Sequence, residues 1–170
     1  DYYEVAADLR PETIQSHEVV WERYSGSWLR TAVTAYSNHV EQLITFTSTP
    51  ETFAFVNLGR ARARGLAVEA EVRLASGAQG TVSYAVQRTE DPDSGEELAN
   101  SPRHLGGFRL SAPGPGDLVG ALDVQYVGRR QTLSGAAVEP ATLAHVTLRW
   151  PIPRGFTLTA TVRNLFDERY

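Results

Sequence analysis

The sequence predicts an all-β fold, an antiparallel up-and-down meander of about eight strands forming the wall of a transmembrane β-barrel. Three observations predict it. Apolar and polar residues alternate with period two in one segment after another. The connections between those segments run short, long, short, long along the chain. All three tryptophans, Trp21, Trp28 and Trp150, sit beside short connections.

The clearest segment is 66–74. Leu66, Val68, Ala70, Val72 and Leu74 form one set, and Ala67, Glu69, Glu71 and Arg73 the other. A β-strand turns successive side chains to opposite faces, so one face is apolar and the other charged. No helical period fits that string. The same logic places the other elements. Ser16–Tyr24 is a strand after the polar lead-in 9–12, and 25–27 is a tight turn. Trp28 to Phe46 is a long strand, with Trp28, Arg30, Ala32, Thr34 and Tyr36 opposite Leu29, Thr31, Val33 and Ala35. Residues 47–51, with Pro50, interrupt it. A second long strand runs from Thr52 to Leu74, with Gly59 and Gly65 as expected bulges or kinks. A turn at 76–80 leads into Thr81–Arg88, where Val82, Tyr84 and Val86 oppose Thr81, Ser83 and Gln87. After a polar loop, Arg103–Ser111 is a weaker strand, and 112–117 is a turn. Leu118–Arg129 carries Leu118, Leu122, Val124 and Tyr126 on one face. Strands at Thr142–Trp150 and Phe156–Arg163 follow, separated by a turn at 151–155.

The short connections fall near Gly26, Gly77, Gly114 and Pro153, and the longer ones near Pro50, Asp93 and Gly135. Outer-membrane barrels segregate short periplasmic turns from longer extracellular loops in this way, whereas a soluble sandwich has no reason to. Trp21, Tyr24, Trp28, Trp150 and Phe156 near the short turns fit an aromatic girdle at one membrane interface. Aromatics at strand ends of an ordinary β-protein are the plainer alternative.

Composition is compatible with this reading. The chain has 170 residues, one domain's worth, and 42% of them are hydrophobic. Its mean hydropathy is −0.27. A barrel strand dilutes its apolar signal because half of it faces a polar lumen. No apolar run reaches the ~18 residues that a transmembrane helix needs. A net charge of −4 argues against a nucleic-acid partner. Cysteine is absent, which excludes disulfides, thiolate metal ligands and a thiol nucleophile. Methionine is also absent, and Asp1 opens no signal-peptide pattern, so the chain is expected to be a processed product or a piece of something longer.

Chemistry is sparse. Residues 90–97 (Glu90, Asp91, Asp93, Glu96 and Glu97 around Gly95) could wrap Ca²⁺ with oxygen ligands, but Pro92 and Ser94 break the EF-hand spacing and no helices flank it. A solvated surface loop is the plainer reading. His17, His39, His104 and His145 are scattered, with no paired metal-ligand spacing. No Gly-x-Ser-x-Gly elbow or Gly-x-Gly-x-x-Gly fingerprint occurs. No enzymatic activity, cofactor or metal is expected. Glu69, Glu71, Arg73, Arg149 and Arg163 lie on polar strand faces and suit ionic contacts within a barrel interior.

The C-terminal stretch 157–170 ends in Asn164, Leu165, Phe166 and Asp167, then Tyr170. It resembles the near-terminal strand signature of TonB-dependent outer-membrane receptors. Other stretches are similar in order. They are 9–12 with Ser16-His17-Glu18, Tyr36-Ser37-Asn38 to Leu43-Ile44, Asn57 to Glu69, Ser83-Tyr84, 100–104, and 125–129. The resemblance covers nearly the whole chain. It implies that this is the C-terminal-side portion of a roughly 22-stranded transmembrane β-barrel in the bacterial outer membrane. It further implies an N-terminal plug and a TonB complex as partners, acting through parts outside this chain. The implied ligand is a scarce nutrient: an iron chelate such as a ferric siderophore, cobalamin or haem. The motif residues Asn164, Leu165, Phe166, Asp167 and Tyr170 are expected to be structural, because Asn and Asp suit a strand end whose side chains bond local backbone.

Recognition in a receptor would then lie in the loops 47–53, 89–101 and 131–141, with Tyr36, Phe53, Phe55 and Tyr126 as candidate aromatic ligand contacts. The competing reading is a structural or interaction β-module, soluble or closed on itself, in which Leu66, Val68, Val72, Leu122, Val124, Leu158 and Val162 form a dry core. Refolding separates the two. A β-rich species that shifts on heating in gels and forms only with detergent micelles is the expected outcome, and a cooperative β-fold in plain buffer would overturn it.

Overall fold

A computed structural model describes residues 9–48 and 53–169. Ten strands form in chain order. They are β1 (Thr13–Ser25), β2 (Leu29–Ser48), β3 (Phe53–Arg73), β4 (Gln79–Glu90), β5 (His104–Pro113), β6 (Val119–Val127), β7 (Arg130–Gln131), β8 (Ala137–Val138), β9 (Ala141–Ile152) and β10 (Phe156–Val162). Eight of them make one sheet in the order β1-β2-β3-β4-β5-β6-β9-β10, and β7 and β8 form a separate two-stranded hairpin. All seven ladders of the large sheet are antiparallel. The sheet is therefore a meander in which its eight strands pair in chain order, with β7 and β8 inserted between β6 and β9.

Register sorts the side chains. Val33 faces Val68, Val68 faces Tyr84, Val82 faces Phe108, Phe108 faces Val124, Leu122 faces Val146, and Trp150 faces Leu158. Directly opposed residues share a face, so these form one continuous apolar surface. Arg30 faces Glu71, Glu69 faces Ser83, Arg109 faces Asp123, and Thr147 faces Thr161, which makes the other surface polar. All seven residues for which lipid and dry core were the alternatives lie on the apolar face.

That face is bare. Leu66, Val68, Val82, Leu110, Leu148, Trp150, Leu158 and Val162 are each between 40% and 56% exposed. Buried hydrophobics among the described residues are only Ala32, Ala61, Ala141, Leu143 and Ala144. A water-soluble sandwich would cover the face with a second apolar layer. Here the backbone ladder is the main cohesive element and the apolar face awaits an apolar solvent. No helix among the described residues is long and apolar enough to cross a membrane.

Several details depart from the sequence reading. Gly59 flanks a bulge on β3 as expected, with the extra residue between Gly59 and Asn57, but a second bulge lies on β2 between Val40 and Leu43, where Gln42 has a left-handed φ of 58°. Gly65 is in regular ladder. β9 runs on through Pro151 to Ile152, past the end of its ladder with β6 at Arg149, so the turn begins two residues later than expected. The hairpin β7-β8 was not foreseen in the loop after β6. Tyr24, grouped with the girdle, shares the polar face with Arg30, and Trp28, in the turn, lines the same recess as Tyr24, Arg30 and Arg73, while Trp21, Trp150 and Phe156 stay on the apolar face. Leu9, Arg10, Pro11 and Glu12 are docked on the β2 bulge. The Arg10 amide donates to Asn57 Oδ1 (2.8 Å), Asn57 Nδ2 donates to the carbonyls of Arg10 (2.9 Å) and Gln42 (2.7 Å), and the Ile44 amide donates to Glu12 (2.7 Å).

An arginine on the apolar face should be costly in proportion to its depth. Val68→Arg, in mid-band, is expected to lose about 2–4 kcal/mol, and Val72→Arg, near the short turns, about 0–1 kcal/mol. Denaturant unfolding in lipid bilayers checks the order, and equal costs would refute a graded lipid contact.

Candidate functional site: the polar face and the long loops

The polar face is laced by ion pairs between neighbouring strands. Arg30 on β2 reaches Glu22 on β1 and Glu69 on β3, the latter at 2.7 Å, while Glu71 lies at 3.9 Å and also holds Arg73. One guanidinium thus ties three strands together, with its planar fork of five donors suited to several carboxylates. Farther along, Arg109 Nε donates to Asp123 (2.7 Å), and Gln125 donates to the other oxygen of that carboxylate (2.9 Å). Asp123 faces His145 across the next ladder. Glu69, Glu71 and Arg73 are all on this face, as expected, and Arg149 shares it with His145 and Thr147.

Tyr36 anchors a second network. Its hydroxyl donates to Gln87 Oε1 (2.7 Å), and Gln87 Nε2 donates to the Pro102 carbonyl (3.1 Å). The Gln87 amide donates to the Arg103 carbonyl (2.8 Å). Tyr36 on β2 therefore fixes, through β4, the end of the 91–103 loop. The ring lies over Gly65, its direct partner on β3. A Cβ on Gly65 would come within 2.7 Å of the Tyr36 hydroxyl and 2.8 Å of the Val86 carbonyl, so only glycine leaves room.

The acidic loop folds against arginines. Asp93 pairs with Arg60 (2.6 Å), Glu97 with Arg103, and Glu90 with Arg88 (2.7 Å) and Arg64 (3.5 Å). The Asp91 carboxylate accepts from the amides of Asp93 (2.7 Å) and Ser94 (3.4 Å). Three of these carboxylates have a cation and the fourth shapes its own turn. Hydrogen bonding to Glu97, then its charge, raises the Arg103 pKa further above its ordinary value. The Asn100 amide donates to the Gln131 carbonyl (2.7 Å), linking this loop to the next, whose base Arg129 and Glu139 close at 2.8 Å.

The four candidate ligand contacts do not converge. Tyr36 is on the polar face and half-buried. Tyr126 is on the apolar face, opposite Gly106, whose other neighbour is Tyr84. Phe55 is exposed at the start of β3. Phe53 opens β3, and its side chain is outside the description, as are residues 49–52 of the first long loop. In the C-terminal motif, Asn164 has a φ of 49°, its Nδ2 donates to the Glu168 carbonyl (2.9 Å) and its Oδ1 accepts from the Glu168 amide (3.0 Å). Its own amide donates to His145 Nδ1 (3.0 Å), and the Leu165 amide donates to the Ala144 carbonyl (2.8 Å). Asn164 closes a loop and pins it to β9. Tyr170 lies outside the described residues.

A family described as "TonB dependent receptor-like, beta-barrel" matches residues 1–165. The chain belongs to that family. Its members are outer-membrane β-barrels of Gram-negative bacteria, and they are transport receptors, not enzymes. The vitamin B12 transporter BtuB of Vibrio vulnificus is 27% identical over 168 residues, covering 96% of this chain and 26% of BtuB. The ferric yersiniabactin uptake receptor FyuA of Yersinia pestis superposes with a TM-score of 0.77 at 21% identity, over 92% of this chain and 25% of FyuA. The ferric enterobactin receptor PfeA of Pseudomonas aeruginosa, as a G324V mutant, gives 0.76 at 20% identity, over 93% of this chain and 26% of PfeA. The chain thus spans about a quarter of the length of these relatives. In this family's barrel the apolar face is the outer one, and the polar face lines the lumen.

Residues that the sequence reading passed over carry much of this site: Arg30, Gln87, Asp123 and the arginines 62, 64 and 88. One signal was available, since Arg60-Ala61-Arg62-Ala63-Arg64 continues the period-two pattern of Leu66–Val72 with arginines in the apolar set.

Two substitutions test the supports. Gly65→Ala should cost about 1–3 kcal/mol through overpacking. Asn164→Ala should cost a similar ~1–3 kcal/mol through its two side-chain bonds and its left-handed backbone. Asn164→Gly, which relieves only the backbone, should recover part of that. Unfolding midpoints in detergent measure both.

Proposed function

We propose that this chain is the C-terminal-side portion of the barrel of an outer-membrane TonB-dependent transport receptor, a single structural unit within a barrel of roughly 22 strands. The observation that carries the proposal is a two-faced sheet, bare and apolar outside and ion-paired inside, in a chain matched by the family over residues 1–165. Among the described residues, neither edge strand, β1 or β10, has a partner on its outer side. Further barrel strands would satisfy their free N–H and C=O groups, which lipid cannot.

In the full receptor the lumen face would pack on an N-terminal plug, and energy would come from the TonB complex. The cargo is a scarce nutrient bound from outside: a ferric siderophore, cobalamin or haem. The likeness to a vitamin B12 transporter and to receptors for ferric yersiniabactin and ferric enterobactin supports cobalamin or an iron chelate within that range. The loops 49–52, 91–103 and 128–140 would supply recognition, with Tyr36 positioning the second of them and Phe53 and Phe55 close to the first. Tyr126 would serve at the lipid interface.

Deleting the full-length gene in its host, then measuring uptake of radiolabelled ferric siderophores, cobalamin and haem, tests this. Loss of one uptake activity is expected, with the same loss when the TonB complex is inactivated. Uptake of all three unchanged under conditions where the gene is expressed would overturn the proposal. Restoring the gene with residues 92–101 removed should return barrel to the membrane without ligand binding.

A further inference from the structure

The outer face changes character abruptly at its long-loop end. On β3 the outward series Val72, Ala70, Val68 and Leu66 continues as Arg64 and Arg62, and on β4 the series Val82, Tyr84 and Val86 continues as Arg88 and Glu90. Arg64 sits directly opposite Arg88, and Arg62 opposite Glu90. Like charges opposed across a ladder destabilise a sheet unless an anion compensates them. Glu90, whose side chain is only 10% exposed, lies 3.5 Å from Arg64 and 2.7 Å from Arg88. Glu97 is 3.9 Å from Arg88 but is bonded to Arg103. Arg62 donates to His39 Nε2 at 3.2 Å, and no carboxylate among the described residues lies within ion-pair range of it. Three guanidiniums thus share two carboxylates while Arg62 has none, and Arg64, Arg88 and Arg103 are each at least 46% exposed.

Height matters as much as charge. A strand advances about 3.3 Å per residue and a barrel strand tilts by about 40°. Arg64 and Arg62 therefore lie roughly 20 and 25 Å above Val72, at the far boundary of an apolar band about 25 Å tall. His104, opposite Val86, lies just below and is joined by a 2.7 Å hydrogen bond to Tyr84, which sits lower, level with Val68. Long loops mark this end as extracellular. An unsatisfied cationic patch at that level of the outer face meets the headgroups of the outer leaflet.

We propose that Arg62, Arg64 and Arg88 bind a phosphate of a phosphorylated outer-leaflet glycolipid. Guanidinium forks match phosphate oxygens in pairs, and the aliphatic parts of the arginines continue onto Leu66 and Val86, where the acyl chains would lie. The inference rests on the outer face meeting lipid, and not on which nutrient the receptor carries.

The test uses the full receptor in neutral detergent, with lipid A carrying its phosphates as the probe and dephosphorylated lipid A as the control. Bound lipid is read by native mass spectrometry. Each arginine near an anionic lipid surface contributes about fivefold in affinity, so replacing all three by glutamine should weaken binding of the phosphorylated lipid by at least about tenfold. Dephosphorylated lipid A should bind wild type and variant alike. Arg62→Gln alone, which removes no ion pair, should weaken binding severalfold and serves if the triple variant does not fold. Heat-modifiability gels report folding: a receptor that folds in buffer without detergent would sink the membrane reading itself. Equal binding of phosphorylated lipid A to folded wild type and variant, or equal binding of both lipids to wild type, would overturn the proposal.

Discussion

Everything in this chain depends on the inter-strand backbone ladder. A two-layer protein can lose a few ladder bonds and still be held by its core. This sheet has five buried hydrophobic residues among those described, four of them alanine. Its strands are held edge to edge by N–H to carbonyl bonds and by cross-strand side-chain pairs. That constraint explains why the strands are long, with β2 and β3 at 20 and 21 residues. It also explains why the chain tolerates such different chemistry on its two faces, since neither face packs against a second layer among the described residues.

With the ladder as scaffold, the two faces solve different problems. The outer face presents branched and aromatic side chains at graded depth. The lumen face must hold many charges without bulk water on every side, and does so by pairing them across strands, as Arg30 does with Glu22 and Glu69. Such pairs contribute little individually when exposed. Their value here is geometric, because each one fixes neighbouring strands in a single register. A slip of one residue would turn Glu69 and Glu71 toward lipid and Val68 toward the lumen.

Period two made most of this legible. The 66–74 alternation assigns the same faces that the register shows, and Val82, Tyr84 and Val86 do so for β4. Loop parity gave the meander, although β2 and β3 run on to leave four residues between them, fewer than the five between β3 and β4. What escaped was of another kind. Tyr126 shares its strand face with Leu122 and Val124, so the alternation already assigned it to the outer surface. Its nearness to a loop had suggested a ligand contact. Tyr24 was misplaced for the same reason, by position along the strand rather than by face. The β2 bulge is set by Asn57 and the 9–12 segment reaching across from elsewhere, and no local pattern announces it. The role of Gly65 depends on a tyrosine 29 positions earlier that becomes its neighbour only in the correct register.

The meander carries a consequence for how the wall is assembled. Every ladder joins strands adjacent in sequence, apart from the small hairpin set between β6 and β9. The entropy of closing each connection grows only slowly with its length, so even the long loops add little to the cost of the next rung. Strands can therefore be added one hairpin at a time, each on an edge prepared by the last. The only pairing between strands far apart in sequence would be the seam that closes a barrel. Slowness in forming such a wall would be concentrated at that seam and not spread through the sheet. Until further strands add to them, the edges of β1 and β10 are the most adhesive surfaces among the described residues.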